Sequence, residues 1–359
     1  MLSIINWTPI VYAWLAILAF YAKYQGATQI EMGYVGPQKR AKPIFAWVAF
    51  APIFIFVVFG VVRYDMYLYL SVFHFSVPDS FSTAGAYIAA EDEKGFAIFS
   101  VLIKSFFGDN ETAFRFAIAL VHTIPVVLVL RKYSENYLFS LYVFLALGMH
   151  QAWMMNGIRQ FMAVTIIFAS TPWIVEKKYF RCFLVVLLAI TFHRSAMIML
   201  PVVYFATKEA WSWRTTLIII GISVATLLFS RSDESFDAVA EIAGYSLDAV
   251  RAEGDDGMNV IRVFVYAVPT YLAFRVRDEL KAEGDPLINV CVNMSILTVG
   301  ISAVAVVTSG ILTGRMPIYT NLYNLILLPR VIRANFKSRS ERLVYVAAIA
   351  FYYIYSLFE

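Results

Sequence analysis

The sequence predicts an all-α polytopic membrane protein of about 10 transmembrane helices plus a re-entrant or short-helix hairpin near His193. Three observations carry that expectation. The first is composition: the 359 residues are 60% hydrophobic and only 15% charged, where a soluble domain is about half apolar and about a quarter charged. The second is that apolar runs recur along the whole chain, many near the roughly 20 residues that a spanning helix needs. The third is that Lys and Arg concentrate in alternate connections between those runs.

The runs fall at about 2–22, 44–62, 96–108, 112–130, 137–153, 160–175, 182–206, 214–230, 259–274, 286–309, 315–332 and 343–358. The first begins at Leu2 with neither a basic leader nor a small-residue cleavage site, so it reads as a retained span. Run 96–108 is short and contains Lys104, and is expected to dip in or lie at the surface. Run 182–206 is interrupted by His193 and Arg194, and is expected to fold back there as two short helices. Ten crossings remain, with both termini outside.

On that arrangement 19 of the 29 Lys and Arg lie in connections on one side, which should be the cytoplasm. The tract from Arg330 to Arg342 is its strongest anchor. The opposite side receives 63–111, with 3 basic and 7 acidic residues, and 231–258, with 2 and 8. The chain thus reads as a single integral membrane domain over 1–359, with external loops at about 63–111 and 231–258. The formal charge of +4 is small, and no nucleic-acid partner is expected. Cys182 and Cys291 both lie in apolar runs and read as small core residues. No Cys/His cluster has metal spacing, so neither a metal nor another cofactor is expected.

Polar groups that lipid should reject mark the candidate site, because a charge inside a membrane segment costs a few kcal/mol or more. Asn156, Arg159 and Gln160 are spaced i, i+3, i+4, so a helix would carry all three on one face. An Arg fork and two amides match an anionic, oxygen-rich ligand; the plainer alternative is an interfacial Arg reaching for water. His193 sits at the fold-back, where an imidazole can take a proton from a hydroxyl near neutral pH, or simply hydrogen-bond to a neighbouring helix. Arg63 and Asp65, with Tyr64 and Tyr67, end the second run and offer a cation, a carboxylate and rings; an aromatic belt with an ion pair explains them as well. Glu93 lies in the acidic run Glu91–Glu93, which reads either as holding a base or as a solvated charge run. Arg315 precedes a helix that Pro317 would open, where the dipole also favours an anion. Arg115 and His122, seven apart, read as structural.

These residues resemble the EpsG family of exopolysaccharide proteins, relatives of Wzy-type polysaccharide polymerases. The resemblance rests on Arg63 with Asp65-Met66-Tyr67, Glu93-Lys94-Gly95-Phe96, Asn156-Gly157-Ile158-Arg159-Gln160, Phe192-His193-Arg194-Ser195-Ala196, and Arg315 with Tyr319, in order from about 60 to 330. After Arg63 the sequence lacks the Gly-containing stretch that the family more often places before its Asp-Tyr. The resemblance implies a multi-pass glycosyltransferase of the bacterial inner (cytoplasmic) membrane, its active site facing the periplasm. It would polymerise undecaprenyl-diphosphate-linked oligosaccharide repeat units into exopolysaccharide, O-antigen or capsule. Its partners would be the lipid bilayer, a flippase and a chain-length regulator. His193, Arg159 and Arg315 would be catalytic, and Arg63, Asp65, Glu93, Asn156, Gln160 and Tyr319 would bind substrate. A transporter of lipid-linked oligosaccharide, or a membrane acyltransferase, remains an alternative reading of the same buried Arg and His.

Overall fold

A computed structural model describes residues 7–62, 65–213, 257–308, 313–336 and 338–358, with isolated positions at 215, 217, 221, 224 and 310. Among the described residues the chain is α-helical apart from one β-hairpin. The expected external loop at 231–258 lies almost wholly outside them, as do Arg63 and Tyr64.

The first helix, α1 (Trp7–Gln25), leads into the hairpin β1 (Thr28–Gly33) and β2 (Gly36–Ala41), which the sequence reading did not anticipate. The strands pair antiparallel, with Ile30 opposite Lys39 and Glu31 opposite Gln38. Arg131 holds the hairpin down: it pairs with Glu31 and donates from Nε to the Ala41 carbonyl at 3.0 Å. After α2 (Pro43–Phe59) come α3 (Asp65–Phe75), α4 (Gly85–Ala90) and α5 (Lys94–Phe107). The run expected at 96–108 is therefore a 14-residue helix, and Lys104 explains how it tolerates a charge. The ammonium is buried and donates to the carbonyls of Phe73, His74 and Val77 at 2.8, 2.9 and 3.0 Å. It thereby satisfies acceptors that the end of α3 leaves open.

Next are α6 (Glu111–Tyr133), α7 (Tyr137–Ala146), α8 (Met149–Ala152), α9 (Ile158–Ala169), α10 (Thr171–Val175), α11 (Tyr179–Phe192) and α12 (Met199–Ala206). The remainder is α13 (Val260–Arg275), α14 (Arg277–Glu283), α15 (Pro286–Val306), α16 (Ile318–Asn335) and α17 (Ser338–Ser356). Arg115 donates to the Val57 and Gly60 carbonyls and His122 bonds the Ile158 carbonyl, so both have the structural roles expected of them. Cys182 and Cys291 are buried free thiols.

The helical class holds, while the described helices do not show the expected count of about 10 transmembrane helices. Among the described residues, only α6 and α15 are long and apolar enough to cross a bilayer by length and composition. The physical reason is that apolar runs are cut. Left-handed Gly148 (φ 64) separates α7 from α8, and the turn at Ser170 before Pro172 separates α9 from α10. Helices α2, α7, α9 and α11 are apolar but shorter. The core sits where α6 and α11 pack on α9, and α13 and α16 pack on α15. Large apolar side chains such as Phe20, Ile44, Phe180 and Leu343 face outward, as lipid contact requires.

The fold-back in run 182–206 is present. Helix α11 stops at Phe192, a 3-10 turn covers Arg194–Ile198, and α12 packs back on α11. His193 is the break: its backbone is extended, with φ −157° and ψ 123°.

Candidate active site

Five segments converge at the His193 end of α11. Helix α5 starts there because Gly95 lets it approach α11 closely. A β-carbon at Gly95 would lie 2.8 Å from Thr191 Cβ and 2.9 Å from the Thr191 carbonyl oxygen. That approach brings Glu93, just before α5, to the fold-back. Its carboxylate is buried, with 6% of the side chain exposed. Oε1 accepts the Arg194 backbone N–H at 3.3 Å and lies 4.0 Å from His193 Nε2. Oε2 lies 2.7 Å from Arg159 Nη1, an ion pair without the alignment of a linear hydrogen bond. Burial pushes the Glu93 pKa above the ordinary carboxylate range, and Arg159 opposes that rise. Of the two readings of the acidic run, the solvated one holds for exposed Asp92, which pairs with Arg194, and fails for Glu93.

His193 serves two structural duties. Its N–H completes α11 by donating to the Ala189 carbonyl at 3.0 Å, and its ring Nδ1 accepts the Ser195 backbone N–H at 3.3 Å. A nitrogen that accepts a backbone N–H carries no proton, so the neutral ring is protonated at Nε2, the atom that faces Glu93. Ser195 Oγ is 2.7 Å from Nδ1 and 2.9 Å from the Tyr319 hydroxyl. The histidine lies in the connection between the two arms, outside both helices. Burial and the nearby guanidiniums of Arg159 and Arg315 push its pKa down to about 3. The imidazole is therefore neutral at physiological pH, and a weaker base than an unperturbed histidine.

Gln160 stitches the site together. Its amide nitrogen donates to Ser195 Oγ at 3.4 Å and to the Arg315 carbonyl at 3.2 Å. Arg159, the preceding residue, points elsewhere: Nε donates to the Tyr69 hydroxyl at 2.7 Å, and the guanidinium lies over the Tyr69 and Phe96 rings. About a third of its side chain stays exposed, at 34%. Asp65 opens α3, where burial raises its pKa and Arg315 and Arg159 oppose the rise. Arg315 ends the 3-10 turn Thr313–Arg315 just before α16, with Pro317 as that helix's N-cap.

The expected single helical face of Asn156, Arg159 and Gln160 is corrected. Helix α9 begins only at Ile158, because Gly157 is non-helical at φ −114° and ψ 46°. A β-carbon on Gly157 would sit 2.8 Å from the Trp153 ring, so the chain turns tightly there and leaves Asn156 in the turn. Glu93, Arg159, Gln160, His193 and Tyr319 form one contact network with the Arg315 backbone, and Asp65 joins it electrostatically. Arg63 lies outside the described residues. The sequence reading missed two members. Tyr69 is one turn after Asp65 on α3, and Ser195 lies inside the Phe-His-Arg-Ser-Ala motif. Among the described residues, no three His, Cys, Asp or Glu side chains are grouped to hold a metal ion.

An apolar helical fold with a charged cluster at a helix break defines a membrane protein with a built polar site. The chain belongs to the EpsG family, whose profile matches residues 44–359. That membership places it among membrane proteins of the polysaccharide-polymerase type. No curated protein and no solved structure matches the chain.

Proposed function

We propose that the chain is a membrane glycosyltransferase that polymerises undecaprenyl-diphosphate-linked oligosaccharide units into a surface polysaccharide at the outer face of the inner membrane. The observation that carries the reading is the Arg159–Glu93–His193 contact at the fold-back. It sets a cation suited to a diphosphate directly against a buried carboxylate suited to a hydroxyl proton. Arg159 and Arg315 hold the donor diphosphate, and Arg63 joins them. Their charge opposes the negative charge that grows as the sugar–phosphate bond breaks.

The geometry also supports a coupling between donor binding and base activation. Arg159 is paired with Glu93. A diphosphate draws that guanidinium away by offering a bidentate partner of higher charge. Glu93 then keeps its burial but loses its compensating cation, so its proton affinity rises. The acceptor hydroxyl sits beside Glu93 Oε1 and His193 Nε2, which at 4.0 Å apart can both reach one oxygen placed off the line between them. Glu93 takes the hydroxyl proton, the oxygen attacks the anomeric carbon, and the lipid diphosphate leaves as an anion on the arginines. His193 Nε2–H steers the acceptor, and Asn156, Gln160, Tyr319 and Asp65 order sugar and phosphate oxygens. The working partners are the bilayer, a flippase that delivers the units and a chain-length regulator.

The test is reconstitution in liposomes with lipid-linked repeat units, resolving products by chain length. Growth that Glu93→Gln abolishes supports the reading. Transfer of the units across the bilayer without any growth overturns it in favour of a transporter.

A further inference from the structure

A second built feature lies at the far end of α11. The connections before α11, after α12 and between α14 and α15 wall a cavity of about 380 Å³. Helix α11 begins at Tyr179 beside it and ends at Phe192 beside His193, so 14 residues of helix separate the two places, about 20 Å.

The backbone around this cavity is unusual. Lys177 (φ 56°) and Trp211 (φ 61°) are the two non-glycine residues with positive φ among the described residues, and both line it. Side chains tolerate that conformation poorly, and such strain gathers at ligand clamps. Asn289 fixes one of the strained turns: it donates to the Lys208 carbonyl at 2.7 Å and accepts the Ala210 N–H at 2.8 Å. The indole N–H of Trp211 is buried and has no hydrogen-bond partner. A buried donor without a partner is costly, and here its indole is part of the residue that lines the cavity.

The charges of the wall are unevenly spent. Lys281 pairs with Glu209 at 2.5 Å, and Asp285 accepts the Leu287 N–H at 2.9 Å as the N-cap of α15. Both acids of the wall are thus engaged; Lys177 adds a cation, and so does Arg277, whose neighbours are the exposed Asp278 carboxylate at 3.9 Å and the Phe274 carbonyl at 3.3 Å. Val175, Ile288 and Val292 continue the wall as apolar surface. Two cations, a spare N–H donor and an adjoining apolar wall match a phosphate group carried on a partly apolar body.

We propose that this cavity binds a phosphate-bearing anion, with Lys177 and Arg277 on the phosphate and the Trp211 N–H donating to one of its oxygens. The phosphate belongs either to an anionic phospholipid headgroup or to a soluble phosphate ester. The inference is independent of the reaction proposed above.

The experiment uses the purified full chain in detergent and follows the thermal midpoint. Phosphatidylglycerol, phosphatidylcholine, sodium phosphate and sodium chloride of matched ionic strength are titrated separately. A ligand of the native state raises the midpoint with concentration. A rise with phosphatidylglycerol alone identifies a lipid headgroup, and a rise with sodium phosphate identifies a soluble source. In Lys177→Gln/Arg277→Gln the apparent Kd should rise at least about tenfold. Trp211→Phe keeps a ring and removes only the donor, so it serves as the comparison should the double variant fail to fold, and it should weaken binding several-fold. No rise above the phosphatidylcholine and chloride controls would overturn the proposal. An equal rise in wild type and both variants would do the same.

Discussion

A single methyl group at Gly95 tests whether the approach of α5 to α11 creates the site. In Gly95→Ala the new β-carbon meets Thr191 at three atoms: Oγ1 at 2.2 Å, Cβ at 2.8 Å and the carbonyl oxygen at 2.9 Å. The hydroxyl can rotate away, but the β-carbon and the carbonyl are fixed to α11. Carbon pairs prefer about 3.5–4.0 Å, so the two helices must part by roughly 0.7 Å or more. Two effects then compete. Alanine gains at most about 1 kcal/mol over glycine, the value for a helix interior, and Gly95 lies in the first turn. Overpacking costs about 1–3 kcal/mol, and the clash dominates because two of its three atoms cannot move independently. Glu93 lies two residues away and shifts with α5, which opens its contacts to Arg194 N–H and to Arg159. A misplacement of about 1 Å at reacting groups costs on the order of 10²-fold in rate. The assay is chain growth at matched protein level, with the thermal midpoint measured beside it. Gly85→Ala is the internal control, since a β-carbon there has nothing within 4 Å and should leave both readouts unchanged. Wild-type chain growth from Gly95→Ala would refute the claim that close packing of α5 on α11 sets the position of Glu93.

Further outcomes follow from the same geometry. Arg159→Lys keeps the charge but loses the fork and the Nε–Tyr69 bond; chain growth should fall roughly 10–100-fold with normal accumulation of protein, and an unchanged rate would exclude a planar grip. The pH–rate profile should lose activity as pH falls through the pKa of Glu93. That limb lies above the ordinary glutamate value of about 4.3, because burial raises the pKa and the base must be ionised to act. His193, held down near 3, cannot set that limb, so His193→Gln should slow the reaction yet keep the limb in place; a displaced limb would assign the base to His193. Lys104→Met leaves three carbonyls of the α3 end without their donor and should cost about 1–3 kcal/mol of stability, read as a lowered thermal midpoint. An unchanged midpoint would mean that α3 is anchored elsewhere.

Much of this protein was legible from residue order. Apolar composition dictated a membrane protein, because a chain this poor in charge cannot cover itself with polar surface. His193 and Arg194 inside an apolar run announced a break, since lipid forces a chain carrying such groups to fold them against protein. The motif residues pointed to the EpsG family before any contact was known. Arg115 and His122 were read as structural and are so.

What the sequence could not decide depends on partners distant along the chain. Glu93 reads more readily as part of a solvated charge run until Arg159, 66 positions later, is set against it; the free energy of a buried charge is fixed by its neighbours in space. Asn156 shares a helical spacing with Arg159 and Gln160, yet the non-helical backbone of Gly157, packed where a β-carbon would meet the Trp153 ring, starts the helix too late to include it. The hairpin at 28–41 owes its place to Arg131, about 90 residues away, and the protonated nitrogen of His193 is chosen by the Ser195 backbone. Periodicity and composition report what each segment needs, a membrane, a cap or a counter-charge, whereas only packing determines which segment supplies it.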